Sequence, residues 1–357
     1  MQPLGPTLPV SRWIRRLALA GVLLGFCVVV LGAYVRLSAA GLGCPDWPGC
    51  YGHISPLGAQ HSMGAQQAFP NRPLNVGKAW REMIHRYAAS TLGLIVLVIA
   101  GLTIAAGRAR VVGLGYALAL LAIVVFQGIL GMLTVTLQLK PLIVTSHLLF
   151  GITTLGLMWW LLLSLPRAGW GQARTAARPD IVGTGAASPD SARTLVVIAI
   201  CLLGMQIALG GWTSSNYAAV ACPDFPKCQG AWWPHADFRN AFVLWRGLAI
   251  NFEGGVLDNP TRVAIHLTHR LGAVIATLAL TTAAVVALVR SRRRRVRLSA
   301  IAVLLALVLQ LSIGISMVLR GFPLWLATAH NAGAALLVLA TLALAWSLRP
   351  SARRAAF

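Results

Sequence analysis

The stretch YAASTLGLIVLVIAGLTIAAG, residues 87–107, contains no charged side chain. At about 1.5 Å per residue a helix of this length covers ~30 Å, the thickness of a bilayer's hydrocarbon core. Backbone polar groups cannot stay unpaired in lipid, so the run is either a helix or a barrel strand. A barrel strand needs only about 10 residues, and helix is the reading. Working outward, comparable charge-free runs lie at 17–35, 111–139, 141–166, 194–223, 271–289, 298–319 and 321–348. The expectation is an all-α polytopic membrane protein with eight transmembrane helices, with Trp80 and Trp325 as interfacial anchors.

Composition agrees. The chain is 57% hydrophobic and 11% charged, against about 25% charged in soluble proteins. Both a soluble globule and a disordered chain are excluded. The formal charge of +22 would suit nucleic acid, but Lys and Arg divide by membrane face. With the N-terminus inside, 18 of the 30 are cytoplasmic, the positive-inside bias of a membrane protein. The run 292–295 has no interleaved aromatics for base stacking, so no nucleic-acid partner is expected. The lipid bilayer is the expected partner. Both termini are expected to be cytoplasmic, with loops 38–79 and 214–261 outside. Run 17–35 follows Arg15 and Arg16 but exceeds a cleaved signal's apolar core, so it reads as a retained helix. Its Gly21 and Gly25 suit close helix packing.

The chain repeats itself. Cys44-Pro-Asp-Trp-Pro-Gly-Cys50 returns as Cys222-Pro-Asp-Phe-Pro-Lys-Cys228, His85-Arg86 as His269-Arg270, and His147 as His330. This predicts two tandem four-helix bundles in a pseudo-two-fold relation. The parts are a cytoplasmic tail (1–16), an N-terminal half (17–166), a cytoplasmic linker (167–193) rich in Ala, Gly, Arg and Pro, a C-terminal half (194–348) and a cytoplasmic tail (349–357).

Four histidines, His85, His147, His269 and His330, fall inside spans, where ionisable groups are costly and mark function. Each lies six to nine residues from a charged outer boundary, about 10 Å deep. Two imidazoles facing across a bundle can ligate one haem iron from both sides. Zinc wants three or four ligands, and no third shares that depth in both halves. Four unrelated buried histidines, each bonded to a carbonyl, are the weaker account. His53, His61 and His235 read as solvated loop residues. Arg86 and Arg270 have two open readings, a haem propionate partner or a side chain snorkelling to the headgroups.

Glu82 is the carboxylate that enters a span, three residues before His85 and therefore on the same helix face. The second half has His266 there, whose role the sequence leaves open. The halves thus agree on metal ligation and differ in the acid, which suggests that one performs chemistry and the other holds a permanent cofactor. Alternatively, Glu82 only pairs with Arg81 or Arg86. Two disulfides, Cys44–Cys50 and Cys222–Cys228, are favoured by an oxidising outer compartment and by prolines that imply tight turns. A four-cysteine zinc site is the other reading. Cys27 and Cys201 are expected in the core.

At Glu82-Met-Ile-His85-Arg86, His147, His269-Arg270, His330 and both C-x₅-C loops, the chain resembles the haem A synthase family over about 17 to 348. The resemblance implies oxidation of a ring methyl of haem O to a formyl group, giving haem A for terminal oxidases. It implies a substrate haem at His85 and His147, a haem B cofactor at His269 and His330, and Glu82 as the catalytic acid. Haem O synthase, cytochrome oxidase assembly factors and an unidentified electron acceptor are the implied partners, and the bacterial inner (cytoplasmic) membrane the implied location. A di-haem membrane cytochrome linked to quinone explains the histidines equally well, but not why one half alone carries Glu82. A thiol–disulfide oxidoreductase built on the loop cysteines leaves the histidines without a purpose.

Overall fold

The computed structural model describes residues 7–62, 64, 67–165 and 189–350. Eight long helices are α1 (Thr7–Leu37), α2 (Val76–Ala105), α3 (Leu114–Thr136), α4 (Pro141–Ser164), α5 (Pro189–Ser215), α6 (Asn259–Arg290), α7 (Arg294–Leu319) and α8 (Leu324–Ser347). All eight are long and apolar enough to cross a membrane. Of the expected linker, 167–188 lies outside the described residues, and 189–193 are the start of α5. Of the expected tails, 1–6 and 351–357 also lie outside them, and α1 already begins at Thr7.

The helices begin where caps and prolines place them. The Asn75 side chain accepts a hydrogen bond from the Lys78 amide before α2, and Asp258 accepts from the Thr261 amide before α6. Such caps are worth about 1 kcal/mol each. Pro141 opens α4 and Pro323 precedes α8, positions where a missing N–H costs nothing. Two helices therefore start well outside the charge-free runs, and both Glu82–Arg86 and His266–Arg270 are helical. α5 stops at Ser215, short of the run's end at 223.

In the first four helices α1 touches α2, α2 touches α3, α3 touches α4, and α4 returns to α1; α5 to α8 repeat that order. Contacts of α1 with α8, and of α4 with α5 and α8, join the two sets. Gly21 and Gly25 do what their spacing predicts, admitting Met158 and Leu155 of α4 against α1. Cys27 and Cys201, expected in the core, are exposed on the bundle's outer face, where lipid would cover them.

The apolar core gathers at one end. It includes Ile14, Ala18, Ile99, Leu155, Met158, Val196, Leu280, Val303 and Leu344, all from the helix ends remote from the two long loops. Near those loops, polar contacts bind the halves. Arg36 of α1 donates to the Ser214 carbonyl at 2.7 Å and lies over the Tyr217 ring. Arg72 pairs with Glu253 at 3.2 Å. Lys140, 2% exposed, sits 3.5 Å from the centroid of Trp245 and donates to the Gly247 carbonyl.

Candidate functional site

Helix lengths set the histidine layer. His85 and His269 lie nine and ten residues into α2 and α6, and His147 and His330 each lie six residues into α4 and α8. All four are near the loop ends of their helices, beyond the apolar core. His85 and His147 face each other with ring centroids 6.5 Å apart and planes at 83°. Two metal–imidazole bonds of about 2 Å each, plus the ring radii, require a centroid separation of roughly 6 Å. The observed separation is close to what two imidazoles on one iron would need. The Nδ1 atoms of His85, His147 and His330 are buried without a hydrogen-bond partner. Among the described residues no three His, Cys, Asp or Glu side chains come together.

Every one of these imidazoles lies against a glycine of the preceding helix. A Cβ on Gly32, Gly131, Gly210 or Gly314 would meet Cε1 of His85, His147, His269 or His330 at 2.9, 3.5, 3.2 and 2.9 Å. Four residues before three of these glycines stands a glutamine. Gln206 Nε2 lies 3.1 Å from His269 Nδ1 and donates to the His269 carbonyl at 3.0 Å. Gln310 Nε2 lies 3.3 Å from His330 Nε2, and Gln127 donates to the His147 carbonyl at 3.0 Å. These glutamines escaped the sequence reading because an uncharged amide does not interrupt an apolar run. The recurring Q-x-x-x-G was the available signal.

Glu82 is 4% exposed. Its Oε2 accepts from the Cys44 amide at 2.9 Å, and its Oε1 pairs with Arg86. Arg86 also donates to the carbonyls of Asp46 and Gly49 at 3.0 and 2.6 Å. In the second half Arg270 donates to Lys227, Asp224 and Cys222 carbonyls at 2.8, 2.8 and 3.1 Å, and its Nε lies 3.2 Å from His266 Nε2. Both arginines are thus engaged in holding the loop above them, and a propionate would compete with those carbonyls. His266 acquires a role here, as the neutral counterpart of Glu82 beneath its loop.

The loops themselves match. Each is closed by its disulfide, Cys44–Cys50 and Cys222–Cys228, so the cysteines are not zinc ligands. Asp46 accepts from the Tyr51 and Gly52 amides, and Asp224 from those of Gln229 and Gly230, at 2.6 to 2.9 Å. Tyr51-Gly52 and Gln229-Gly230 both take left-handed φ, 54° and 76° against 54° and 77°, as a type I′ turn requires. The Gly230 and Gln229 amides hold the Asp224 carboxyl below its ordinary range. His53, His61 and His235 lie in the loops, as expected.

Comparison with known proteins follows the same pattern. The profile of a family described as cytochrome oxidase assembly protein, COX15-CtaA, matches residues 15–342. A protein of Shewanella oneidensis named "Heme A synthase" is 42% identical over 328 residues, covering 92% of this chain and 93% of its own. Proteins of the same name from Rhizorhabdus wittichii and Halalkalibacterium halodurans are each 27% identical. They cover 96% and 88% of this chain, and 95% and 91% of their own lengths.

Proposed function

From the premise that this chain belongs to the COX15-CtaA family of haem A synthases, membrane oxidoreductases that convert haem O to haem A, we propose how its residues divide that work. The substrate haem O is held between His85 and His147. A haem B cofactor is held between His269 and His330. The carrying observation is the facing pair His85 and His147, 6.5 Å between centroids, with a buried carboxylate three residues from His85 on the same helix face.

Taking a methyl to a formyl group with a water-derived oxygen releases four electrons and four protons, in two successive oxidations, first to the alcohol and then to the aldehyde hydrate, which loses water. When bound, haem B supplies one-electron redox chemistry, which suits a relay to an outside acceptor. The chain's own residues do the rest. His85 and His147 fix the substrate's iron, and thereby the ring's position beneath the Cys44–Cys50 loop. Glu82, with carboxyl lone pairs beyond those given to Cys44 and Arg86, takes protons released at the substrate's carbon. Arg86 keeps that carboxylate oriented. His266, at the matching place below the second loop, offers no carboxylate, in keeping with a half that performs no chemistry.

The repeated loops and the repeated helix-contact order support two tandem four-helix halves in a pseudo-two-fold relation. The charge bias supports both termini, and the linker, on the cytoplasmic side of the bacterial inner membrane, with the histidine layer towards the outside. Haem O synthase, as the source of the substrate, and oxidase assembly factors, as recipients of the product, remain the expected partners. Expression in a host that makes haem O but no haem A tests the reading. Extracted pigment should contain haem A, and haem B alone would return the protein to the class of di-haem electron carriers.

A further inference from the structure

The four ligand positions are built alike, with one departure. The helix preceding each histidine carries Gln127-x-x-x-Gly131, Gln206-x-x-x-Gly210 and Gln310-x-x-x-Gly314, but Val28-x-x-x-Gly32. Val28 and Gly32 precede Gln206 and Gly210 by the same 178 residues that separate Cys44 from Cys222, so Val28 occupies the fourth glutamine's place. The histidine helices are adapted to match. A Cβ on Gly151, Gly272 or Gly333 would press on the amide of Gln127, Gln206 or Gln310. The counterpart of Gly272, reached by the offset relating His85 to His269, is Ala88. Amide and space are present at three sites and both are replaced at the fourth.

An imidazole that gives one nitrogen to iron has a second N–H to donate. The acceptor of that bond orients the ring and raises its basicity as a ligand. The Oε1 atoms of Gln127, Gln206 and Gln310 are buried and without partners; the Gln206 and Gln310 amides lie against the imidazoles, at His269 Nδ1 and His330 Nε2, and the Gln127 amide donates to the His147 main-chain carbonyl. The Nδ1 atoms of His85, His147 and His330 are buried and unpartnered, and Val28 brings His85 no side-chain acceptor, only its main-chain carbonyl. Resting on the haem assignment above, we propose that Gln127, Gln206 and Gln310 are positioning residues that anchor His147, His269 and His330. His85, lacking one, is the exchangeable ligand through which the substrate site loads haem O and releases haem A. A permanent cofactor needs two anchored ligands; a site that turns over needs one that yields. That is the distribution the chain carries.

The test measures transfer of bound haem from the purified, full-length protein to excess apomyoglobin. Loss of an outer-shell partner typically costs about 10- to 100-fold in metal affinity. Gln206→Leu and Gln310→Leu should therefore speed release from the His269–His330 site by about that factor. Gln206→Glu, which keeps an acceptor oxygen, should restore slow release, a rescue that a mere packing role would not give. Conversely, Val28→Gln with Ala88→Gly, in a His330→Ala background loaded with haem O, should slow release from the His85–His147 site about tenfold and alter the EPR signal of its low-spin ferric iron. Unchanged release in Gln206→Leu and Gln310→Leu, while His269→Ala lacks its haem, would overturn this proposal alone. Unchanged haem content in His269→Ala would overturn the haem assignment and this proposal with it.

Discussion

The Cys44 amide donates to Glu82 Oε2 at 2.9 Å, tying the carboxylate of α2 to the disulfide loop above it. Arg86 completes the link by pairing with the other carboxylate oxygen while gripping the loop's carbonyls. Glu82 is therefore neither a surface residue nor a simple ion-pair partner, and its replacement tests chemistry and loop attachment together.

Glu82→Gln keeps the size and an acceptor oxygen for Cys44 but cannot take up a proton. Haem A production should fall by about 10²- to 10⁴-fold, the usual worth of a positioned proton acceptor, while haem bound at His269 and His330 is retained. Pigment analysis of membranes reads both quantities. Near-normal haem A would reduce Glu82 to an anchor for the loop.

His269→Ala and His330→Ala should each abolish the stable six-coordinate haem B spectrum, since one axial ligand leaves the iron open and weakly held. An unchanged optical spectrum in both variants would remove the cofactor from that site.

Arg86→Lys and Arg270→Lys retain charge but lose the planar, multi-donor fork that reaches several carbonyls at once. The loops should loosen, seen as faster reduction of Cys44–Cys50 and Cys222–Cys228 by external thiol in an alkylation assay. Reduction at the wild-type rate would show that the disulfide loops do not depend on these contacts.

Lys140→Met keeps the stem and removes the cation from between Trp245 and the Gly247 carbonyl. A desolvated cation–π contact is worth about 2 kcal/mol, and thermal unfolding in detergent should shift down accordingly. An unaltered Tm would mean that the contact adds no net stability.

A phosphatase reporter inserted in the α6–α7 turn, at Arg292, should be inactive, and one inserted at His61 active. The opposite pattern would invert the topology.

The eight helices were legible because lipid forbids charge over long runs, and their caps were not, because charges near a membrane surface look like boundaries. Arg81, Glu82 and Arg86 seemed to delimit a span that in fact starts at Val76. Lys140 read as an outer boundary, yet it is among the most buried side chains, since the loop that covers it lies more than 100 residues further on. The histidines stood out because charge-capable groups are rare in lipid. The glutamines beside them did not, because their meaning depends on which helix face meets which, and one linear pattern cannot supply that. Arg86 and Arg270 stand next to His85 and His269 in the sequence, but their loop partners emerged only with the fold.

The contact of α8 with α1 bears on how the protein is made. During synthesis α1 enters the membrane first, and one side of it has no mate until Leu324–Ser347 arrives. A nascent chain stalled after α7 would have a sealed first quartet, a second quartet lacking a wall, and a strip of α1 facing acyl chains. Quality control in the membrane therefore has a late and unambiguous signal to read: whether that seam has closed.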